Sequence, residues 1–172
     1  MESGSKTNNL CVAAFKITAR RSVAISSVNA PTPPANQMAF CDIDNHADTT
    51  CCGSNCYPEF FTGDIVDVRP FSDKYQPMMN IPVCRGVTAV DIKTGVFGRE
   101  TVLLVFNQAL WFGDTLKHTL VNPNQVRAHG ISLCDDPTDP VRSLGVHDGE
   151  TGLRVKLRMD GTICRLESRV PT

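Results

Sequence analysis

The sequence lacks several features that would assign it to a specialised class of protein. No apolar run approaches the roughly 18 residues that a membrane-spanning helix needs. The N-terminal segment has no signal-peptide pattern and the chain has no Asn-x-Ser/Thr acceptor site, so we predict a cytoplasmic protein. The formal net charge is only −1, so no overall field favours an anionic partner. We therefore expect neither a membrane nor a nucleic acid as a direct partner.

Cysteine is not scarce in this chain, which has eight cysteines in 172 residues. Because no secretory signal accompanies them, we expect reduced thiols rather than disulfides. Four of the eight fall in the run "CDIDNHADTTCCGSNC", residues 41–56, together with three aspartates and His46. Two chemistries explain such crowding: a metal site built from the imidazole and the thiols, or a catalytic carboxylate on a tight turn.

A zinc site in this run would draw on His46, Cys51, Cys52 and Cys56. Zinc ligands usually come as a C-x2-4-C pair with a second pair elsewhere, and only Cys52 and Cys56 form such a pair. The adjacent Cys51 and Cys52 would point to opposite faces of an extended chain. We therefore predict that the cysteines are small buried hydrophobic residues and that the protein binds no metal or other cofactor. A zinc-stabilised interaction module remains an alternative hypothesis.

The hydrophobic periodicity along the chain predicts a small all-β domain with one short helix. Residues 1–37 are polar and Pro-rich, which predicts a disordered, flexible tail before a domain over residues 38–172. The strand-like runs are "MAFCDI", "GDIVDV", "IPVCRGVTAVDI", "RETVLLVFNQALWF", "LRVKLRM" and "TICRLESRV". The segments "KTGVFG" and "DG" are typical of hairpin turns. "NPNQVRAHG" predicts the helix, with Asn122 as N-cap, Pro123 at its first position and Gly130 as its stop.

Asp44 directly follows the apolar run "MAFCDI". A carboxylate at the end of a buried strand is costly unless it is hydrogen-bonded or serves a function. Asp and Asn also bond their own backbone readily, so an ordinary Asx-rich turn explains the same pattern. The turn taken alone leaves both interpretations open.

A resemblance to a known family favours the catalytic interpretation. "DIDNHADTT" resembles the active-site turn of retroviral-type aspartic proteases. It looks still more like the Asp-Ser-His-Ala-Asp-Thr variant in the protease region of copia-type retrotransposon polyproteins. "GDIVDVRPFSDKYQPMMNIPV", "LVFNQALWFGDTLKHTLVNPNQVRAHGISLCDDP" and "SRVPT" also look like later parts of that region, in the same order. The resemblance covers about residues 38–172 and implies a retropepsin-like β-barrel or sandwich.

The family implies an aspartic endopeptidase that cleaves polyproteins as a homodimer, with one catalytic Asp from each chain. By the resemblance, Asp44 matches the catalytic residue, and Asn45, His46, Ala47 and Asp48 match the positions that hold the polypeptide substrate. Asn45 replaces the usual Ser or Thr, and His46 replaces the usual Gly.

Two other segments have counterparts in the family. "PFSDKYQPMMNIPV" and the hairpin after it fall where related enzymes have a flap-like cover, and Leu120–Asn122 fall at a second apolar turn before the short helix. A catalytically inactive or domesticated remnant that binds peptide is the main alternative that the resemblance leaves open.

Overall fold

The computed structural model describes residues 39–69, 74–94 and 98–172. The tail predicted over residues 1–37 lies outside the described residues. So do the first four residues of "PFSDKYQPMMNIPV" and the middle of the turn "KTGVFG".

The described residues form eleven strands and one short helix, as the sequence predicts for a small all-β fold. The strands are β1 Ala39–Ile43, β2 Cys51–Gly53, β3 Tyr57–Val68, β4 Met78–Thr94, β5 Gly98–Gly113, β6 Thr119–Val121, β7 Ser132–Cys134, β8 Gly145–His147, β9 Arg154–Lys156, β10 Arg158–Asp160 and β11 Ile163–Ser168. The helix is α1 Pro123–Ala128. No helix among the described residues is long and apolar enough to cross a membrane.

The strands form an eight-stranded and a three-stranded sheet. The order in the larger sheet is β10-β11-β1-β6-β2-β5-β4-β3, and in the smaller one β7-β8-β9. β4 and β5 pair antiparallel out to Thr94 opposite Gly98, which confirms the hairpin predicted around "KTGVFG". β6 pairs parallel with β1 and antiparallel with β2. β6 therefore lies between β1 and β2 in the sheet, although β1 and β2 follow one another in the sequence.

The run "LRVKLRM" was predicted as one strand, and the structure corrects this prediction. β9 pairs with β8 in the smaller sheet, whereas β10 pairs with β11 across the predicted "DG" turn. Leu157 lies between the two strands, is buried, and donates its backbone N–H to the carbonyl of Leu144. Alternation specifies which side chains are buried and not which strand is the partner, so it could not reveal the change of sheet.

The core lies between the two sheets and α1. β5 contributes Val102, Leu104 and Phe106 at alternate positions, and the helix contributes Val126. Four cysteines join this core: Cys41, Cys52, Cys56 and Cys164. All seven cysteines in the described part of the chain are free, and burial raises the pKa of the Cys41 thiol well above its ordinary value. Six of these seven side chains are buried, as the sequence predicted, and Cys51 is half-buried.

Asn55 is a polar residue at the centre of this core, only 2% exposed. Its Nδ2 donates to the carbonyl of Phe40 at 3.0 Å and to Ser168 Oγ at 2.6 Å. Its Oδ1 accepts from Thr119 Oγ1 at 2.8 Å. A buried amide left without partners would be strongly destabilising, so these bonds hold β1, β6 and β11 in one arrangement.

The helix forms as the sequence predicted. The Asn122 side chain accepts hydrogen bonds from the backbone N–H groups of Asn124 and Gln125, at 2.8 and 2.9 Å. Pro123 stands at the first helical position, where a backbone N–H would lack an intrahelical partner in any case. Gly130 ends the segment with a φ of 76°, a conformation that glycine adopts without strain.

Candidate active-site turn

Asp44 is the first residue after β1 and opens the turn over residues 44–50, here called the acid turn. Its backbone N–H donates to the carbonyl of Val121 at 3.0 Å, which extends the pairing of β1 with β6 by one residue. The Asp44 side chain is half-buried, while Asn45, His46 and Asp48 are exposed. The fold thus presents a partly shielded carboxylate at a strand end, beside three exposed polar side chains.

Residues far away in sequence hold the backbone of the acid turn. The Asn122 side-chain amide donates to the carbonyl of Ala47, and the Asn122 N–H donates to Thr50 Oγ1 at 3.3 Å. Thr50 is fully buried, and its N–H donates to Gln125 Oε1 at 2.9 Å. Gln125 Nε2 in turn donates to the carbonyl of Gln108 on β5 at 2.9 Å. The helix N-terminus and β6 therefore determine the shape of the turn.

The aspartates of this region differ in what they contact. Asp42 forms a nearly buried ion pair, with Arg165 Nε 2.9 Å from its Oδ1 and Arg165 Nη2 donating to its Oδ2 at 3.1 Å. Asp44 forms no ion pair with any described residue, and its Oδ1 accepts from the backbone N–H of His46 at 2.9 Å. Asp42 is thus engaged in a tertiary ion pair, whereas Asp44 forms the local contact of an Asx turn, the ordinary interpretation that the sequence left open.

His46 stands where the family pattern has glycine. Among the described residues, Asn80 is the one non-glycine residue with a positive φ, at 58°. His46 therefore adopts ordinary backbone angles, and the acid turn needs no glycine at this position. The replacement places an exposed imidazole beside Asp44 without backbone strain.

The thiols near the turn are not grouped for metal binding in the described part of the chain. Burial and, secondarily, the negative charge of Asp44 raise the pKa of Cys51 to about 11, so this thiol stays protonated at neutral pH. Over the described ranges, no group of three or more His, Cys, Asp or Glu side chains is arranged to hold a metal ion. The structure therefore does not assemble His46, Cys51, Cys52 and Cys56 into a zinc site.

β3 and the first residues of β4 form an apolar ribbon at the edge of the larger sheet, and β6, β2 and β5 separate this ribbon from β1 in the strand order. β3 has only three half-buried positions among its twelve residues, and its other side chains are exposed. The exposed large apolar side chains of the β3–β4 ribbon are Tyr57, Phe60, Phe61, Ile65, Met78 and Met79. Exposed apolar groups concentrated on one element are typical of a binding surface. The described end of the predicted flap-like segment, residues 78–83, forms the start of β4, and the hairpin after it is β4–β5.

Three residues of the site were not identified from the sequence: Thr50, Asn55 and Gln125. All three are buried polar side chains whose partners lie at least 14 residues away in the chain. Asn122 was predicted as a helix cap and as part of a second apolar turn, but its bond to Ala47 was not anticipated. No local pattern distinguishes such residues from ordinary polar positions in strands and turns.

No protein-family model, curated protein or solved structure matches the chain. The function must therefore be argued from the geometry of the acid turn and its surroundings.

Proposed function

We propose that the protein is an aspartic endopeptidase of the copia retrotransposon type, which cleaves polypeptide as a homodimer. The observation that carries this proposal is the placement of Asp44. Its half-buried carboxylate lies at the end of β1, on a turn whose backbone is held by Asn122 and Gln125. Acid–base catalysis needs a carboxylate on a rigid support, and this arrangement supplies one.

The homodimer follows from the number of carboxylates. The described residues contain one turn of this kind, whereas peptide cleavage by aspartates uses a pair that shares one proton. A second copy of the chain would supply the second Asp44. The ionised Asp44 takes a proton from water, and the resulting hydroxide attacks the peptide carbonyl carbon. The protonated Asp44 donates its proton to the carbonyl oxygen, which gives a tetrahedral diol. The first Asp44 then passes the proton it took from water to the amide nitrogen, the C–N bond breaks, and the second Asp44 recovers a proton from a diol hydroxyl as the carboxyl product forms.

The surroundings of the turn suit a polypeptide substrate. Asn45, His46, Ala47 and Asp48 lie beside Asp44 and offer exposed amide, imidazole and carboxylate groups to a peptide backbone or to the partner copy. The β3–β4 ribbon offers exposed apolar side chains for substrate side chains, and two of them, Met78 and Met79, fall in the segment that resembles the cover of the family. The free thiols of the described chain also suit the cytoplasmic location that we propose.

The decisive experiment measures cleavage of an unfolded polypeptide against protein concentration, with Asp44→Asn protein titrated in. Below the dissociation constant of the dimer, the rate should rise more steeply than linearly with protein concentration. At saturating concentration, a ninefold excess of the variant should leave about one tenth of the activity, because most wild-type chains then pair with the variant. The activity should peak at mildly acidic pH, between the two apparent pKa values of the shared-proton pair.

Other results would count against this proposal. A rate that is linear in protein concentration, with no inhibition by Asp44→Asn protein, would show that the active unit is not this dimer. If sedimentation shows a dimer that binds peptide without cleaving it under any condition, the protein is the inactive peptide-binding remnant. Asn45 and His46 would then be the first residues to restore to the family pattern.

A further inference from the structure

An open cavity of about 520 Å³ lies between the end of β4 and the strands β9, β10 and β11, and none of the acid-turn residues lines it. We propose that this cavity binds an extended acidic segment of a polypeptide. Five cationic side chains line the cavity, here called the basic groove: Lys93, Arg154, Lys156, Arg158 and Arg165. This site is separate from the proposed peptidase function and does not depend on it.

The two acids of the groove neutralise only part of its positive charge. Asp91 pairs with Arg169 at 3.1 Å, and Glu167 pairs with Arg158 at 3.2 Å. Arg165 is likewise engaged, since it contacts Asp42 and Asp160. The groove acids and two of the five cations are therefore already in ion pairs.

Three cations of the groove remain without an acidic partner in the described structure: Lys93, Arg154 and Lys156. All three are exposed. Lys93 comes from β4 and the other two from β9, so positive charge faces the groove from both sides. Although the formal net charge of the protein is only −1, unpaired positive charge is concentrated in this one cavity. The complementary ligand is therefore an anion.

The spacing of the cations favours an extended ligand. Arg154, Lys156 and Arg158 alternate with the buried Val155 and Leu157, so all three point away from the core. Alternate residues of an extended chain lie about 6.6 Å apart. A peptide in extended conformation with acidic residues at every second position repeats its carboxylates at the same interval. Arg154 and Lys156 on β9 can therefore each meet a carboxylate of such a peptide, whereas Arg158 on β10 is already paired with Glu167.

The strand order offers backbone partners as well. β9 is an edge strand of the smaller sheet and β10 is an edge strand of the larger one. The outer backbone groups of both strands have no strand partner within the described ranges, so an added peptide strand can bond to them. Charged side chains on an edge can also serve simply to prevent edge-to-edge association, in which case no ligand would bind.

A single-stranded nucleic acid is a less suitable ligand. Sites for single strands combine a basic groove with aromatic side chains on which the bases stack. The lining of the basic groove contains no Phe, Tyr or Trp among the described residues. Phe40 lies nearby, but the guanidinium groups of Arg158 and Arg165 already cover its ring, at 5.1 and 4.6 Å from the centroid.

The test is fluorescence anisotropy of the full chain with a short labelled peptide in which Glu and Thr alternate. The groove variant carries Lys93→Gln, Arg154→Gln and Lys156→Gln. The matched control carries Arg69→Gln, Lys74→Gln and Lys117→Gln, which removes the same number of Lys and Arg charges outside the groove. We expect the dissociation constant to rise about tenfold or more in the groove variant and to change less than about twofold in the control. A peptide with Gln in place of Glu should not bind.

Each other outcome would overturn the proposal. An equal loss of peptide affinity in both variants would mean that the peptide is attracted non-specifically by charge. If the peptide does not bind even at about 50 mM salt, the cations serve only to prevent association of the strand edges. Tighter binding of a single-stranded oligouridine of similar length than of the acidic peptide would assign the groove to nucleic acid instead. Circular dichroism of both variants checks that their fold is unchanged.

Discussion

Two Asp-rich turns in this protein have similar composition and different construction. In the loop over residues 135–142, Asp136 Oδ1 accepts from the backbone N–H and the hydroxyl of Thr138, at 2.8 and 2.7 Å. Asp139 accepts from the backbone N–H groups of Val141 and Arg142, at 2.8 and 2.9 Å, and pairs with the Arg142 guanidinium. Both carboxylates therefore hold their own loop together.

The acid turn, in contrast, is held mainly by hydrogen bonds from residues outside it. Within the described structure, the Asp44 carboxylate accepts one hydrogen bond, from His46, and the turn is held by bonds from Asn122 and Gln125. In the 135–142 loop, the backbone N–H groups of Arg142 and Val141 lower the pKa of Asp139 to about 2. Asp44 also accepts a bond within its own turn, but a single one, and residues distant in sequence supply the rest of the support of that turn.

The largest expected effect is on the cleavage rate, when one Asp carboxylate in each turn is replaced by an amide. Asp44→Asn should reduce peptide cleavage by about 100-fold or more, because it removes an acid–base group from the shared-proton pair. Asp136→Asn changes the charge identically and should leave the cleavage rate unaltered. The measurement is the initial rate on an unfolded polypeptide at equal protein concentration. Equal losses in the two variants would remove the distinction between the turns.

The next effect concerns the support of the acid turn. Asn122→Ala removes both the helix cap and the bond to Ala47, so it should lower the free energy of unfolding by about 2–3 kcal/mol. Asn124→Ala, two residues further on and exposed, serves as the control and should change it by less than about 0.5 kcal/mol. Urea denaturation measures both values. A stability of Asn122→Ala close to that of the control would mean that the acid turn does not depend on the helix N-terminus.

A smaller effect is expected from Thr50→Val, which keeps the shape of a fully buried side chain but removes the acceptor for the Asn122 N–H. Leaving that N–H unpaired should cost about 1–2 kcal/mol of unfolding free energy. Thr138→Val is the matched change in the other loop, where water can replace the lost bond, and its cost should be clearly smaller. Similar costs at the two positions would contradict the tertiary origin of the acid turn.

The smallest expected effect is a pH dependence of the unfolding free energy that arises from Asp139 in the 135–142 loop. The folded-state pKa of Asp139, about 2, lies below the ordinary value of about 3.9 for an unfolded chain. Its contribution to stability is therefore present above about pH 4 and is lost as the pH falls through about 2. The difference in urea midpoint between wild type and Asp139→Asn should accordingly be constant near neutral pH and vanish at the acidic end. Because the carboxylate is exposed, added salt should reduce this difference; a difference that persists below pH 2 would exclude this mechanism.

The features that the sequence by itself determined are those with a local cause. The pattern of apolar and polar residues predicted the longer strands and the β4–β5 hairpin, because side chains on a strand face opposite sides of the sheet at every step. It did not predict the three-residue strands β2, β6, β7 and β8, which are too short to show a periodic pattern. The capping chemistry of Asn122, Pro123 and Gly130 predicted the helix, since these residues act on backbone groups within a few positions of themselves. The position of Asp44 at a strand end followed from the same local pattern.

Only the tertiary structure decided which parts of the chain meet. The insertion of β6 between β1 and β2 brings Asn122 and Gln125 onto the acid turn, across more than seventy positions of sequence. The division of "LRVKLRM" between two sheets creates the basic groove, and the buried amide of Asn55 joins three strands. Hydrogen bonds and ion pairs between distant residues produce no periodic pattern in the sequence. A polar residue that forms such a contact cannot be distinguished from other polar residues until the folded structure shows its partner.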